Sequence, residues 1–199
     1  MKPRRLFLSA GHSTTPGRDR GATSHDGKHI EGNVTAEFRT LVFDSLMRRY
    51  GYRSSVDSND SILSQTISLF RQWVTPDCIL IEYHCNASSS PRSQGVEVFI
   101  PDSYTEVELG IAADIAAALH GATGFPYRNG RLNINGVKLE SESARGKLGW
   151  LRMAGHNVLP ELFFITNPQE VATWNRAKFE AADRVADVIW KWVNKQNKS

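Results

Sequence analysis

The chain has 199 residues, of which 40% are hydrophobic and 23% are charged, proportions that are ordinary for a globular domain. No apolar run approaches the roughly 20 residues that a membrane-spanning helix requires, which excludes a transmembrane protein. Lysine and arginine exceed aspartate and glutamate by only 24 to 21, and no basic stripe with interleaved aromatic residues points to a nucleic-acid partner.

Neither a disulfide nor a targeting segment is needed to explain the chain. A protein of this length can bury roughly 70% of the surface that it exposes when unfolded, which is enough for a stable core. Cys78 and Cys85 share one predicted strand, roughly 23 Å apart at about 3.3 Å per residue, so both thiols are expected to be free. The apolar run at residues 6–8 is shorter than the roughly 7–15 residue core of a secretory signal, which predicts synthesis in the cytoplasm.

The first half of the chain is predicted to alternate strands with helices. A buried strand at residues 6–8 precedes a long polar loop that extends to Gly32. Asn33 is the predicted cap of a helix with apolar residues at helical spacing, and Gly51 is placed to end it. The next predicted elements are a short strand at residues 52–56 and a helix from Asp60 or Ser61 to just before Pro76.

The second half continues this alternation around a predicted central strand. Residues 78–84 are mostly apolar without clean alternation, as expected of a strand covered on both faces in a parallel sheet. Two Asn-Gly pairs, at 129–130 and 135–136, predict hairpin turns within a surface excursion at residues 124–152. The remaining predicted elements are a strand at residues 95–100, a helix that closes near Gly121, a strand at residues 157–164 and a helix at residues 169–194. This order predicts an α/β fold, a twisted, mostly parallel β-sheet flanked by helices on both faces.

Three reactive side chains map to the carboxyl ends of the predicted parallel strands. His12 follows the first strand, His84 ends the central strand, and Glu161 lies at the end of the last strand. Parallel strands present their carboxyl ends at one edge of a sheet, so these side chains are expected to meet there. Zn²⁺ suits such a set because imidazole and carboxylate are among its usual ligands, and catalytic sites use three protein ligands plus a water.

The spacing leaves the third ligand open. Glu31 closes the loop after the first strand, and its alternative role is to interact with the N-terminus of the following helix. Glu37 lies inside that helix and fits a solvated face better, while His29 is close enough to Glu31 to compete as a ligand. Glu82 shares a strand face with His84, so it is a candidate acceptor that orients the imidazole or a partner for an arginine.

Five short motifs, taken in order, resemble a known family. They are Ser9-Ala10-Gly11-His12, Asp19-Arg20-Gly21-Ala22, Glu31-Gly32-Asn33, His84-Cys85-Asn86-Ala87 and Glu161-Leu162-Phe163-Phe164-Ile165-Thr166-Asn167. In order and spacing, this set resembles the zinc-dependent N-acetylmuramoyl-L-alanine amidases, a family that includes bacterial cell-wall hydrolases and phage endolysins. The resemblance spans nearly the whole chain.

The resemblance implies a site and an activity. It implies that His12, Glu31 and His84 bind Zn²⁺, which selects Glu31 over Glu37, and that Glu161 is the catalytic carboxylate. The implied reaction is hydrolysis of the amide bond between N-acetylmuramic acid and L-alanine in bacterial peptidoglycan.

One residue departs from the family pattern. Family members commonly carry a proline several residues before the catalytic glutamate, where this chain has His156, whereas here Pro160 directly precedes Glu161. Since proline donates no hydrogen bond to a β-ladder, Pro160 predicts that its strand lies at a sheet edge or ends at that point.

Wider expectations follow for the organisation and role of the chain. Residues 1–199 are expected to form a single catalytic amidase domain without a separate cell-wall-binding domain. The expected partner is bacterial peptidoglycan, with no nucleic acid, no stable membrane insertion and a monomeric state. The short N-terminal apolar run predicts a phage endolysin, made in the host cytoplasm and acting on the wall in the periplasm after release. Three alternatives stay open: a zinc peptidase of the stem peptide, a glycosidase, and a non-catalytic cell-wall-binding module.

Overall fold

The computed structural model describes residues 4–195, which form one sheet with helices on both faces. The predicted α/β class is therefore confirmed. In chain order the elements are β1 (Leu6–Ser9), α1 (Glu31–Tyr50), β2 (Ser55–Val56), α2 (Leu63–Arg71), β3 (Ile79–Glu82), β4 (His84–Asn86), β5 (Glu97–Ile100), α3 (Glu106–Thr123), β6 (Val137–Leu139), β7 (His156–Phe164) and α4 (Pro168–Val193). Two short 3₁₀ turns, Glu140–Glu142 and Gly149–Arg152, lie between β6 and β7.

The sheet is mostly parallel, with one reversal that matters for the site. Its strand order is β2-β1-β3-β7-β5-β6, and β4 pairs with β7 beyond the end of β3. Strands β1, β2, β3, β4 and β7 pair in parallel, whereas β5 runs antiparallel to β7 and β6 follows the direction of β5. Because of this reversal, the first residue of β5 lies at the edge where the parallel strands have their carboxyl ends.

Two hydrophobic cores hold the layers together. Alternate residues of each strand face opposite sides, so Leu6 and Leu8 pack into the core under α1, α3 and α4, while Phe7 packs into a second core with α2. The second core also contains Phe70 from α2 and Trp150 from the second 3₁₀ turn. Because both faces of β1 and β3 are buried, apolar residues follow one another along these strands without alternating with polar ones.

Helix α1 begins three residues earlier than its sequence indicates. The cap is Ile30, whose side chain makes no capping hydrogen bond, so the prediction of Asn33 as cap is wrong. The reason is that the preceding loop replaces a capping side chain: the backbone amides of Glu31 and Gly32 donate to the carbonyls of Ala22 and Arg20, at 2.8 and 3.0 Å. Glu31 thereby becomes the first residue of the helix.

Smaller differences concern the ends of other elements. Helix α3 continues past Gly121 and ends at Gly124, which has φ +72° and donates its amide to the carbonyl of His120. Helix α2 covers only Leu63–Arg71, and β2 only Ser55–Val56. The predicted central strand at residues 78–84 is interrupted at Tyr83, which separates β3 from β4.

Residues 124–152 are more than a surface excursion, and the predicted hairpins are absent from this described stretch. Residues 137–139 form β6, which joins the sheet parallel to β5 rather than as the return arm of a hairpin. The turn at Asn135 and Gly136, where Gly136 has φ +71°, leads directly into this strand. A three-residue strand carries too little periodicity to be recognised in the sequence.

Pro160 lies in the interior of the sheet, so the prediction of an edge or terminating strand is wrong. Strand β7 pairs with β3 and β4 on one side and β5 on the other, and it continues to Phe164. The amide of His156 points to β3, and by two-residue alternation the nitrogen of Pro160 faces the same side. There it meets the interruption at Tyr83, since pairing with β3 stops at Val158 and resumes with β4 at Glu161. The hydrogen-bond donor that Pro160 lacks is therefore not needed, because β7 has no ladder partner on this side at this point.

The two cysteines are free, as predicted, and both are buried. Among residues 4–195, no helix combines the length and the apolar character that crossing a bilayer requires.

Removing the Phe38 ring is expected to loosen α1 from the core. Phe38 is buried, and its ring centroid lies 5.1 Å from that of Tyr83 and 5.0 Å from that of Trp174 on α4. Phe38→Ala should lower the free energy of unfolding by about 3–5 kcal/mol in urea titrations. Phe179→Ala on α4, where the ring is 60% exposed, is the matched control and should change it by less than about 0.5 kcal/mol. Equal effects of the two substitutions would contradict this account of the core.

Candidate metal centre

Three donor side chains converge at the carboxyl end of the parallel strands. His12 follows β1, Glu31 opens α1, and His84 opens β4. One ligand atom from each lies within 4.8 Å of the others. Both imidazoles approach the same oxygen, with Glu31 Oε1 3.0 Å from His84 Nδ1 and 3.4 Å from His12 Nε2. The structure therefore brings together three of the four residues that the sequence singled out.

The Glu31 carboxylate is held in place by backbone as well as by imidazole. Its Oε2 accepts a hydrogen bond from the amide of Ala22 at 2.8 Å, and its Oε1 accepts one from the amide of Cys85 at 3.0 Å. Burial by itself would raise the pKa of Glu31, but the hydrogen bonds and charges of His12 and His84 outweigh burial and hold this pKa well below its usual range. Glu31 is consequently a fixed, charged carboxylate.

His84 is oriented from its far side by a second carboxylate. Its Nε2 lies 3.0 Å from Oε2 of the fully buried Glu82, and the hydroxyl of Ser9 donates to the other oxygen of Glu82 at 3.3 Å. Burial would lower the pKa of His84, but hydrogen bonds to Glu31 and Glu82 raise it well above its usual value. Such a carboxylate behind an imidazole fixes the ring and its tautomer.

Two glycines create the space in which these side chains meet. Gly11 has φ +70°, and a Cβ there would lie 2.4 Å from His84 Nε2. Gly21 has φ +71°, and a Cβ there would lie 2.4 Å from Glu31 Oε2. Any side chain at either position would therefore occupy the place of a donor.

Glu161 lies next to the three donors, across the ladder from His84. It is the sixth residue of β7, so it precedes the end of the strand by three residues rather than marking that end. Burial raises the pKa of Glu161 to about 8, with a further contribution from the charges of Glu31 and Glu97. Its buried Oε2 has no hydrogen-bond partner within the described part of the chain, so this oxygen is free to accept a proton from a bound molecule.

The sequence analysis missed Glu97, which is the antiparallel partner of Glu161. Glu97 is buried and neutralised by two cations, Lys138 Nζ at 2.6 Å and Arg128 Nε at 2.9 Å, and it also accepts a hydrogen bond from Asn86 at 2.8 Å. A signal existed in the sequence, because a carboxylate within the otherwise apolar strand at residues 95–100 requires a buried partner.

The donors and Glu161 open into a cleft of about 790 Å³. The rival ligands lie outside the donor trio: Glu37 pairs with Lys178 on α4 at 2.5 Å, and His29 lies 3.2 Å from Asn175. Asn167, the last residue of the fifth motif, caps α4 by accepting hydrogen bonds from the amides of Gln169 and Glu170.

The sequence profile of the N-acetylmuramoyl-L-alanine amidases matches residues 6–191. The chain belongs to this amidase family. The match confirms the resemblance carried by the five motifs. No curated protein matches the chain significantly in sequence.

Solved structures of two amidases and of one endolysin share the fold over almost their whole length. The catalytic domain of CwlV, an N-acetylmuramoyl-L-alanine amidase from Bacillus (Paenibacillus) polymyxa var. colistinus, has a TM-score of 0.77 at 20% identity, covering 97% of this chain and 99% of that one. The amidase of Clostridium difficile 630 has a TM-score of 0.78 at 16% identity, covering 99% and 100%. The catalytic domain of the CD27L endolysin, which targets C. difficile, has a TM-score of 0.67 at 22% identity, covering 98% and 99%.

The donor set of this amidase fits a divalent metal such as Zn²⁺. Two imidazole nitrogens and one carboxylate oxygen match the ligands of catalytic zinc sites, which leave a fourth position for water or substrate. Bonds of about 2.0–2.1 Å in a tetrahedral site place ligand atoms about 3.3 Å apart, and the nitrogens of His84 and His12 lie 3.0 and 3.4 Å from Glu31 Oε1. Both of these distances agree with that spacing, and all three ligand atoms lie within 4.8 Å of one another.

Gly21→Ala is expected to weaken binding of a divalent metal by displacing Glu31. The matched control is Gly27→Ala, because Gly27 has the same φ of +71° with nothing within 4 Å of its Cβ position. Both variants incur the backbone cost of about 1–2 kcal/mol for a left-handed residue. Titration of metal-free protein with Zn²⁺ in a calorimeter should show at least a roughly ten-fold weaker affinity for Gly21→Ala alone. Equal affinities in the two variants would contradict this.

Glu161→Gln is expected to stabilise the metal-free protein at high pH. The pKa of Glu161 is about 8 in the folded chain against an ordinary 4.5. Between these pH values the unfolded chain releases a proton that the folded chain keeps, so the stability of the wild type falls as pH rises. Glutamine does not titrate, so the free energy of unfolding of Glu161→Gln should not show this fall. Its excess over the wild type should grow from near zero at about pH 4 to more than about 1.4 kcal/mol, the equivalent of one pKa unit, at about pH 8.

Urea unfolding in the presence of a chelator at the two pH values measures this advantage. Glu37→Gln on the exposed side of α1 is the control for a general effect of removing a carboxylate. An advantage of Glu161→Gln that is the same at both pH values would show that burial does not perturb Glu161.

Proposed function

We propose that the chain is a zinc-dependent N-acetylmuramoyl-L-alanine amidase that hydrolyses the amide bond between N-acetylmuramic acid and L-alanine in bacterial peptidoglycan. The observation that carries this proposal is the convergence of His12, Glu31 and His84 at one point beside Glu161, in a chain of the amidase family. His12, Glu31 and His84 hold the Zn²⁺ in this proposal. When bound, the ion lowers the pKa of water and polarises the carbonyl of the scissile amide.

Glu161 acts as general base and then as general acid. Its unpartnered Oε2 accepts a proton from the attacking water, whose oxygen bonds to the amide carbonyl carbon. The carbon–nitrogen bond then breaks, and Glu161 returns the proton to the leaving amine of L-alanine. A carboxylate whose pKa lies near neutrality is suited to both transfers, because neither direction is strongly uphill.

Substitution separates the role of Glu161 from that of the ligands. Glu161→Ala is expected to keep about one Zn²⁺ per chain while kcat/KM for muramoyl peptides falls by about 10²–10⁴. His84→Ala is expected to lose both the ion and the activity. His25→Ala, an exposed histidine outside the cleft, serves as the control and keeps both. Elemental analysis and a turbidity assay on purified sacculi measure the two quantities, and loss of zinc from Glu161→Ala would overturn the assignment.

The products distinguish the alternative activities. The amidase releases intact stem peptides with a free N-terminal alanine, whereas a zinc peptidase cuts within the stem, and mass spectrometry separates the two. A glycosidase needs two carboxylates flanking the bond and generates new reducing ends; Glu97, the carboxylate opposite Glu161, is neutralised by Arg128 and Lys138. A wall-binding module would sediment with sacculi without clearing them.

An endolysin role is the second part of the proposal. The likeness to the catalytic domain of the CD27L endolysin supports it at the level of the fold. In this role the monomeric enzyme accumulates in the host cytoplasm and reaches the wall when the inner membrane is opened. Expression in a bacterial host should therefore cause lysis only when a membrane-permeabilising protein is co-expressed, and lysis without it would contradict the role.

A further inference from the structure

The cleft has a second wall, which is formed by residues other than the three donors and Glu161. This wall is the segment at residues 143–148, between the two 3₁₀ turns, and it carries Arg145 and Lys147. Both side chains are exposed, and both line the cleft that contains His84 and Glu161. Within residues 4–195, no acidic side chain forms an ion pair with either of them.

The segment is anchored at both of its ends. The buried carboxylate of Glu140 accepts hydrogen bonds from the amide of Leu148 and from the guanidinium of Arg152, at 3.0–3.1 Å for the latter. Glu142 accepts the amides of Leu139 and Arg131, at 3.0 and 2.9 Å. These contacts hold the backbone on either side of Arg145 and Lys147, so both cations are carried by an anchored segment.

The other two cations of the cleft share one anionic partner. Arg128 and Lys138 both contact the buried Glu97, at 2.9 and 2.6 Å. Arg145 and Lys147 are left as the cleft cations without an anionic partner among the described residues.

We propose that Arg145 and Lys147 bind a free carboxylate of the stem peptide, so that the enzyme prefers acidic stems over stems whose carboxyl groups are amidated. This inference rests on the proposed amidase activity. Glu161 gives its proton to the leaving amine, so the peptide side of the scissile bond lies towards Glu161 and the neighbouring wall. The glycan side of the bond carries neutral sugars, whereas the peptide side carries the carboxylates that a pair of unpartnered cations attracts.

The stem peptide has two carboxylates that Arg145 and Lys147 could bind. One belongs to the second residue, which is either D-glutamate or its amide D-isoglutamine. The other belongs to the side chain of the third residue, which is diaminopimelate in some stems and lysine, without that carboxylate, in others. Four N-acetylmuramoyl tripeptides that combine these choices therefore identify which carboxylate is bound.

The experiment measures kcat and KM of the zinc-loaded enzyme on the four tripeptides. The wild type is expected to show a kcat/KM about ten-fold higher for the tripeptide with the recognised carboxylate than for its matched neutral analogue, the size expected of two solvent-accessible charge contacts. The preference should appear in KM, because binding of a remote carboxylate is uniform between ground and transition states. It should also weaken as salt concentration rises.

Variants test whether the preference for acidic tripeptides depends on Arg145 and Lys147. Arg145→Gln and Lys147→Gln should each reduce the preference, and the double variant should cleave the acidic and neutral analogues with equal kcat/KM. Arg71→Gln is the matched control, since Arg71 is an exposed cation at the end of α2 outside the cleft, and it should keep the preference of the wild type. Far-ultraviolet circular dichroism verifies that each variant is folded.

The outcomes separate this inference from the proposed function. Cleavage of all four tripeptides with equal kcat/KM by the wild type, or a preference that survives in the folded double variant, would overturn the carboxylate-binding wall while leaving the amidase activity standing. Failure of the zinc-loaded wild type to cleave any muramoyl peptide would instead overturn the proposed function.

Discussion

The arrangement of the site depends on one buried charge, the carboxylate of Glu31. It is surrounded by the imidazoles of His12 and His84 and by the amides of Ala22 and Cys85. His12 and Ala22 belong to the loop after β1, and His84 and Cys85 belong to β4. Satisfying the carboxylate at the start of α1 therefore fixes that loop, α1 and β4 relative to each other. A buried carboxylate without such partners would cost several kcal/mol (about 3–5 when one partner of a buried pair is removed), and this penalty is what makes the geometry specific.

Much of this could be predicted because the governing rules are local or topological. Continuously apolar strands separated by amphipathic helices indicate a sheet covered on both faces, and parallel strands must present their carboxyl ends together. His12 and His84 follow directly from these two rules. The choice between Glu31 and Glu37 did not, because the loop that precedes α1 has no periodicity and the helix is capped by the carbonyls of Arg20 and Ala22 rather than by a side chain. Only the resemblance to a family supplied that choice.

The errors have a common physical origin in long-range pairing. Pro160 indicates an edge strand only if the neighbouring ladder is complete, and the sequence does not show that the ladder is interrupted at Tyr83. Strand β6 has three residues and gains its place from β5 rather than from its own pattern. Glu97 becomes part of the site because β5 is reversed, which carries its first residue to the edge where the parallel strands end.

The enclosed thiols have a consequence for how the fold responds to its redox surroundings. Cys78 and Cys85 are both free and buried, and burial raises the pKa of Cys85 well above its usual value. A thiol that is shielded from solvent and protonated is a poor nucleophile towards oxidants and disulfides. The fold also contains no disulfide that a reducing environment could break. We therefore expect the same native state in reducing and in oxidising surroundings.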